Sequence, residues 1–155
     1  MPKMELDEID KRILRVLQED GRVSNQELAQ RVGLSPSPCL RRLRILEAEG
    51  VISRYVAMVD QTRIGLQVSV FVSVKLERQR EAALDRFDRE IRQYPEVLEC
   101  YLMTGPRDYL LRVVAEDLAA YERFLKEKLT RMEGVSSIES SFALNQVKYT
   151  NSLPI

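Results

Sequence analysis

Between Ser24 and Glu49 the chain is punctuated for two short helices separated by a tight turn, the second carrying a row of arginines. Ser24 followed by Glu27 is a capping-box pattern, placing a helix start just before Leu28, Ala29 and Val32. Gly33-Leu34 closes that helix. Ser35-Pro36 opens another, with serine as N-cap and proline in the first turn, where its missing N–H costs little. Ser37-Pro38 repeats the pair, so the start falls at one or the other. The second helix runs to about Glu49, with Gly50 as its stop. Two helices joined by so short a turn make a helix-turn-helix, a unit whose second helix enters the major groove of DNA.

The charges agree with that placement. No acidic residue lies between Glu27 and Glu47, whereas Arg31, Arg41, Arg42 and Arg44 do, and such a segment suits a polyanion. At about 100° per residue, Cys39, Leu43 and Leu46 share one face, which should pack inward. Ser37, Arg41, Arg44 and Ala48 lie opposite, with Ile45 beside them. Arg41 and Arg44 are therefore the expected readers of base edges, since a guanidinium can bond guanine O6 and N7 together. Ser37 and Pro38 face the groove from the first turn. Arg42 sits on a flank, placed for a phosphate or for an internal pair with Glu27. An ordinary helix with a solvated arginine face is the competing reading; the short helix and turn in front of it argue against that.

A chain of 155 residues holds one ordinary domain or two small ones. Formal net charge is zero, and residues 1–60 carry 10 basic and 10 acidic side chains. DNA binding must therefore come from a local patch and gain from more than one copy. The two cysteines, Cys39 and Cys100, are expected free and reduced, as in cytoplasm. No apolar run approaches the roughly 20 residues of a membrane span, and the charged N-terminus does not read as a signal peptide.

Ahead of the helix-turn-helix, Leu6, Ile9, Ile13, Leu14 and Leu17 mark a helix capped near Asp7 and stopped at Asp20-Gly21. Behind it, Val51–Val59 reads as the two strands of a wing. The expected first domain is 1–60, a winged helix-turn-helix with its motif over about 24–49, followed by a linker over 61–66. The second domain, 67–155, changes period. Gln67–Leu76 alternates strictly, with Val68, Val70, Val72, Val74 and Leu76 on one face. Residues 80–94 are helical. Val97–Thr104 and Tyr109–Ala115 are strands joined by the turn Gly105-Pro106-Arg107-Asp108. A helix from about Asp117 runs to Gly134, and Ser136–Leu144 is a last strand. The order βαββαβ predicts a ferredoxin-like α+β sandwich. Both helices cover one sheet face, leaving Phe71, Tyr101 and several aliphatics on the other, so the chain should form at least a homodimer.

This organisation resembles the Lrp/AsnC (leucine-responsive) family of transcriptional regulators over nearly the whole chain. The residues that carry the resemblance are Leu6-Asp7 with Asp10, Gly21-Arg22, and Leu34-Ser35-Pro36-Ser37-Pro38-Cys39-Leu40-Arg41-Arg42-Leu43. Leu46-Glu47 with Gly50-Val51-Ile52, Gly105 with Asp108-Tyr109-Leu110-Leu111, and Gly134-Val135 add to it. The resemblance implies a double-stranded DNA operator as partner, dimers assembling into higher oligomers up to octamers, and an amino-acid effector bound between dimers. Pro106-Arg107 in the hairpin turn departs from the pattern at the lip of that pocket.

A free amino acid needs an anion for its ammonium, N–H donors for its carboxylate and an apolar wall. The turn Thr104–Asp108, including Gly105 and Arg107, can supply the first two through the Asp108 carboxylate and exposed amides. Tyr101, Met103 and Leu118 are candidate wall residues, and Ser136, Ser140 or Ser141 can add hydroxyls. Gly-Pro-Arg-Asp is equally good turn chemistry, and Asp108 can simply pair with Arg107 or cap the turn.

Nothing points to catalysis. The chain has no histidine, the commonest general base and metal ligand, and no CxxC pair, nucleophile elbow or phosphate-cradling glycine loop. No metal or cofactor is expected. An RNA-binding sheet would show an aromatic-rich motif on its central strands, which Val68–Val74 and Tyr109–Ala115 lack. The sequence thus predicts a cytoplasmic, sequence-specific regulator of amino-acid metabolism. The alternative is a stand-alone amino-acid-binding module that docks a protein partner.

Overall fold

The computed structural model describes residues 4–155. The chain divides into two compact units, one holding the residues up to Met58 together with Lys148–Ile155, the other Val59–Val147.

The first unit is three helices, α1 (Glu8–Glu19), α2 (Asn25–Val32) and α3 (Pro36–Ala48). Asp7 caps α1 through a reciprocal box with Asp10, each side chain accepting from the other's backbone N–H. Ser24 Oγ accepts from Glu27 N–H at 3.1 Å, so half of the expected box forms at α2. Gly33 ends α2 at φ 76°, a left-handed conformation open to glycine. Ser35 is the extended N-cap of α3 and Pro36 its first residue. The apolar stripes close on one core: Ile13, Leu14, Val16, Leu28, Ala29, Val32, Cys39 and Leu46 are buried. Truncating a fully enclosed member such as Leu46 to alanine should cost about 2–5 kcal/mol.

Two details differ from expectation here. Val51–Val59 is extended but contains no strand, because no other segment of the described chain pairs with it in a ladder. The last residues were expected in the second domain, yet Lys148–Ile155 packs with the first. The Gln18 side chain takes both main-chain groups of Leu153, accepting from its N–H at 2.6 Å and donating to its carbonyl at 3.1 Å. Arg15 Nε donates to the Ile155 carbonyl at 2.6 Å.

The second unit is a four-stranded antiparallel sheet in the order β2-β3-β1-β4. Its strands are β1 (Val68–Leu76), β2 (Val97–Leu102), β3 (Tyr109–Ala115) and β4 (Val135–Phe142), with helices α4 (Glu81–Ile91) and α5 (Leu118–Glu127). This is the βαββαβ sandwich that the alternating pattern predicts. Val70, Val72, Val74 and Leu76 of β1 and Tyr109, Leu111 and Val113 of β3 are buried with Phe87, Ile91, Tyr121 and Phe124 from the helices. Beyond α5 the chain tightens into a 3-10 turn, Leu129–Arg131, whose three-residue period keeps Leu129 and Met132 both buried.

The open sheet face is more polar than the sequence suggests. Phe71 and Tyr101 are exposed there. Between them Arg112 donates to Glu99 at 3.4 Å and to Gln61 at 3.2 Å, and Gln61 bonds Ser69 at 3.0 Å. Among the described residues no helix is long and apolar enough to cross a membrane.

Candidate nucleic-acid interface and hairpin site

Helix α3 presents a shallow concavity lined by Ser37, Leu40, Arg41, Arg44, Ile45 and Ala48. These are the outward residues of the helical wheel, with Leu40 added at the margin. Arg41 and Arg44 are exposed, and among the described residues neither forms a salt bridge, so both guanidinium forks point into solvent with their donors available. Pro38 is half-buried in the first turn, beside the exposed Ser37. Asn25 was not singled out from the sequence, yet it fixes this surface: its Nδ2 donates to the Pro36 carbonyl at 2.9 Å, tying the start of α2 to the start of α3.

Arg42 does something else. Its guanidinium donates to Asp7 at 2.7 Å and to Asp10 at 2.9 Å, both through Nη1, so it braces α3 against α1. The partner is not Glu27, because the flank of α3 that carries Arg42 packs toward the N-terminal end of α1. Of the two roles the sequence allowed Arg42, the internal pair is the one formed, with Asp7 and Asp10 in place of Glu27, which corrects its place among the DNA-contacting residues. The electrostatics are mutual. The Asp10 backbone N–H and then the Arg42 guanidinium hold the Asp7 carboxyl below its usual range, and both carboxylates push Arg42 upward.

In the second unit the hairpin between β2 and β3 meets the C-terminal end of β1. Asp108 N–H donates to the Val74 carbonyl at 2.9 Å, and Met103 N–H to the Asp108 carbonyl at 2.8 Å. The Asp108 side chain is buried, accepting from Leu76 N–H at 2.7 Å and from the Gln79 amide. Asp108 therefore does not pair with Arg107, whose guanidinium reaches Ser137 at 2.9 Å and Glu139 at 2.5 Å. Among the described residues no protein acceptor takes the N–H groups of Thr104, Gly105 or Arg107, which leaves three main-chain donors at the turn.

The structure gathers only part of the expected effector set. Met103, Thr104, Gly105, Arg107 and Asp108 share the hairpin, and Ser136 lies at the same end of the sheet, bonded to the Lys75 carbonyl at 3.2 Å. Leu118 follows the other end of β3, about 20 Å away along seven residues of strand. Alternation separates the rest. Ser141 pairs with Phe71 in the ladder and takes the open face, as does Tyr101 through Leu110 and Ser73. Ser140 turns to the helices, where it bonds the Tyr121 hydroxyl. Within one chain these residues line no common pocket.

A groove of about 300 Å³ opens between α4 and β2, lined by residues including Asp88, Arg92, Leu98, Cys100 and Tyr109. Tyr109 donates to Asp88 at 2.7 Å. Burial, then the nearby Asp88, pushes the Cys100 thiol up to about 11. Among the described residues no cluster of potential ligands could hold a metal.

Both halves of this arrangement match known families. Residues 6–53 match a family model described as winged helix-turn-helix DNA-binding, and residues 69–153 match the Lrp/AsnC ligand binding domain. The chain belongs to the Lrp/AsnC family. It is similar to the Bkd operon transcriptional regulator of Pseudomonas aeruginosa, 50% identical over 97% of this chain and 99% of that one. The leucine-responsive regulatory protein of Escherichia coli is 40% identical over 99% of this chain and 94% of its own. Among solved structures, a transcriptional regulator from Neisseria meningitidis in complex with L-methionine superimposes with a TM-score of 0.93 at 43% identity, covering 97% of each chain. An AsnC family regulator from Agrobacterium tumefaciens superimposes at 0.92 with 44% identity, over 96% of this chain and 97% of that one. This Lrp/AsnC chain is a helix-turn-helix transcriptional regulator with a ligand-binding domain, and the relatives it matches are regulators rather than enzymes.

Proposed function

We propose that this regulator binds operator DNA through Ser37, Pro38, Arg41 and Arg44 of α3 and answers to a free amino acid held at the 103–108 hairpin. The observation that carries the DNA half is the unpaired Arg41–Arg44 face beside an Arg42 already committed to Asp7 and Asp10. Two exposed guanidinium forks on one face of a major-groove helix are the donors that guanine edges require. Sequence-specific binding in the cytoplasm, to genes of amino-acid metabolism, follows from that reading and from the relatives' names.

The effector half rests on the buried Asp108 beside three unbonded N–H groups, the donor and acceptor set that an amino acid's backbone demands. Leu118 at the other end of the sheet, Ser140 turned to the helices and Ser141 further along the open face can join the hairpin only from other copies of the chain, whereas Tyr101 stands two residues before Met103 on the strand that leads into it. A homodimer assembling to higher oligomers, with effector sites where copies meet, satisfies that geometry and makes binding and assembly interdependent.

Two measurements test the proposal. Operator affinity should fall steeply as salt rises, because neutralised phosphates release counterions; a chain that docks a protein partner instead would bind no duplex. In a thermal-shift screen of the twenty amino acids, a ligand at 100 times its Kd should stabilise the protein by about 2.7 kcal/mol. A hit undiminished in Asp108→Asn would move the site away from the hairpin.

A further inference from the structure

Two carboxylates are buried among the described residues, Asp10 and Asp108, at 5% and 3% exposure. They are treated differently. Asp10 has a cation, the Arg42 guanidinium at 2.9 Å. Asp108 has none among the described residues, although Arg107 is its chain neighbour, because that guanidinium is turned to Ser137 and Glu139. A buried carboxylate without a counter-charge is costly, and here it is met only by one main-chain N–H, from Leu76, and one neutral side-chain amide, from Gln79.

We infer that Gln79 is a built-in competitor for the effector: its amide sits in the place an amino acid's ammonium takes on Asp108, and its displacement sets the effector concentration to which the protein responds. This inference rests on the hairpin reading above. The two donors of Asp108 are not equivalent. The Leu76 N–H belongs to the end of β1 and cannot leave without unpairing the strand. Gln79 lies in an exposed stretch, 77–80, between β1 and α4. That stretch is anchored on both sides without its help: Glu77 N–H donates to the Gly134 carbonyl at 2.8 Å, and the Arg80 carbonyl accepts from Leu84 in the first turn of α4. The Gln79 side chain can swing out with nothing else moving.

What replaces it gains. A carboxylate accepts about four hydrogen bonds, and an ammonium offers three donors plus the missing positive charge, so the exchange turns a neutral contact into a charge-assisted one. The amino acid's own carboxylate then meets the free N–H groups of Thr104, Gly105 and Arg107. Binding that must first expel Gln79 has an affinity reduced to the fraction of molecules in which the amide is unseated. If it is seated nine times in ten, removing it tightens binding about tenfold.

The test uses the full chain and titration calorimetry, with the strongest hit of the amino-acid screen and its 2-oxo acid, which lacks the ammonium. Gln79→Ala should tighten the amino acid about three- to tenfold and leave the 2-oxo acid unchanged. Gln79→Lys should abolish amino-acid binding, its ammonium filling the site from within the chain. Gln79→Ala leaves the buried Asp108 with one donor fewer, so the thermal midpoint of each variant without ligand is measured beside the binding, and binding is compared at a temperature where both are folded. An amino acid that binds wild type but binds Gln79→Ala no better, or binds Gln79→Lys as well as wild type, overturns the inference and leaves the effector reading standing. Equal tightening of the 2-oxo acid also overturns it, because the gain would not concern the ammonium. If no amino acid binds wild type or Gln79→Ala, the effector reading fails and the inference falls with it.

Discussion

Arg42 and Asp10 lie 2.9 Å apart, joining the recognition helix to the first turn of α1 through a carboxylate that is itself part of the α1 cap. One arginine of the basic row is thus structural, and its neighbours on either side are not. Arg42→Ala should destabilise the first unit by about 1–3 kcal/mol, because Asp10 is left buried with fewer partners. Thermal denaturation checks this, and an unchanged midpoint would show that the pair contributes nothing.

Arg41→Ala and Arg44→Ala should do the reverse. Both side chains are exposed, so stability should hold, while affinity for the preferred operator drops by about 1–3 kcal/mol and sequence preference relaxes. Competition binding with base-substituted operators measures both effects. Full operator affinity in the two variants would remove this face of α3 from the interface.

The Asp7 cap gives the first unit an acid limit. Its carboxyl is held below the ordinary value of 3.8, chiefly by the Asp10 N–H and then by Arg42. A lowered folded-state value stabilises above the unfolded one and is lost as pH falls through the lowered value. The contribution should therefore be constant from neutrality to about pH 5, begin to fall as the unfolded carboxyl titrates, and be gone once pH is below the lowered folded-state value. In Asp7→Asn this component of the acid dependence should be missing, and acid titrations of the two proteins that overlay would refute the assignment.

Neither cysteine should react readily in the folded protein. Burial raises the Cys39 thiol, and burial with Asp88 takes Cys100 to about 11, so at pH 8 roughly one Cys100 in a thousand is thiolate. A disulfide reagent should release two equivalents only after denaturant is added; a prompt native-state equivalent would contradict this.

Gln18→Ala should loosen the tail at Leu153 while sparing the helices, with the Arg15 bond to the Ile155 carbonyl left in place. The Leu153 amide, bonded to Gln18 Oε1 at 2.6 Å, should lose its hydrogen-exchange protection while the α1 amides keep theirs. Equal protection in both proteins would place the tail's anchor elsewhere.

The elements that one-dimensional patterns determine were readable. Strict alternation from Gln67 to Leu76 is what a strand with one buried face requires, and β1 takes all of it but the first residue, with that burial. Ser35-Pro36, one of the two starts that the sequence offered, and Gly50 bracket α3 because backbone preferences at helix ends are local, although the Ser35 side chain makes no cap hydrogen bond. Partners distant in sequence were not readable. Glu27 is nearer to Arg42 in the chain than Asp7 or Asp10, yet the packing of α1 decides the pair. The effector candidates were chosen by chemistry without register, and register sends Ser140 and Ser141 to opposite faces. Tail residues 148–155 have neither period nor caps. Nothing local could announce that Gln18 would hold Leu153.

That tail makes the DNA-binding unit discontinuous along the chain, with the whole sandwich inserted between its helices and its final segment. During synthesis α1 leaves the ribosome early, but the residues that Gln18 and Arg15 grip emerge only after β4 has been made. The helical unit is thus completed last, by a contact spanning 135 residues, and a fragment cut at Met58 would be a different protein from the domain as it exists in the full chain.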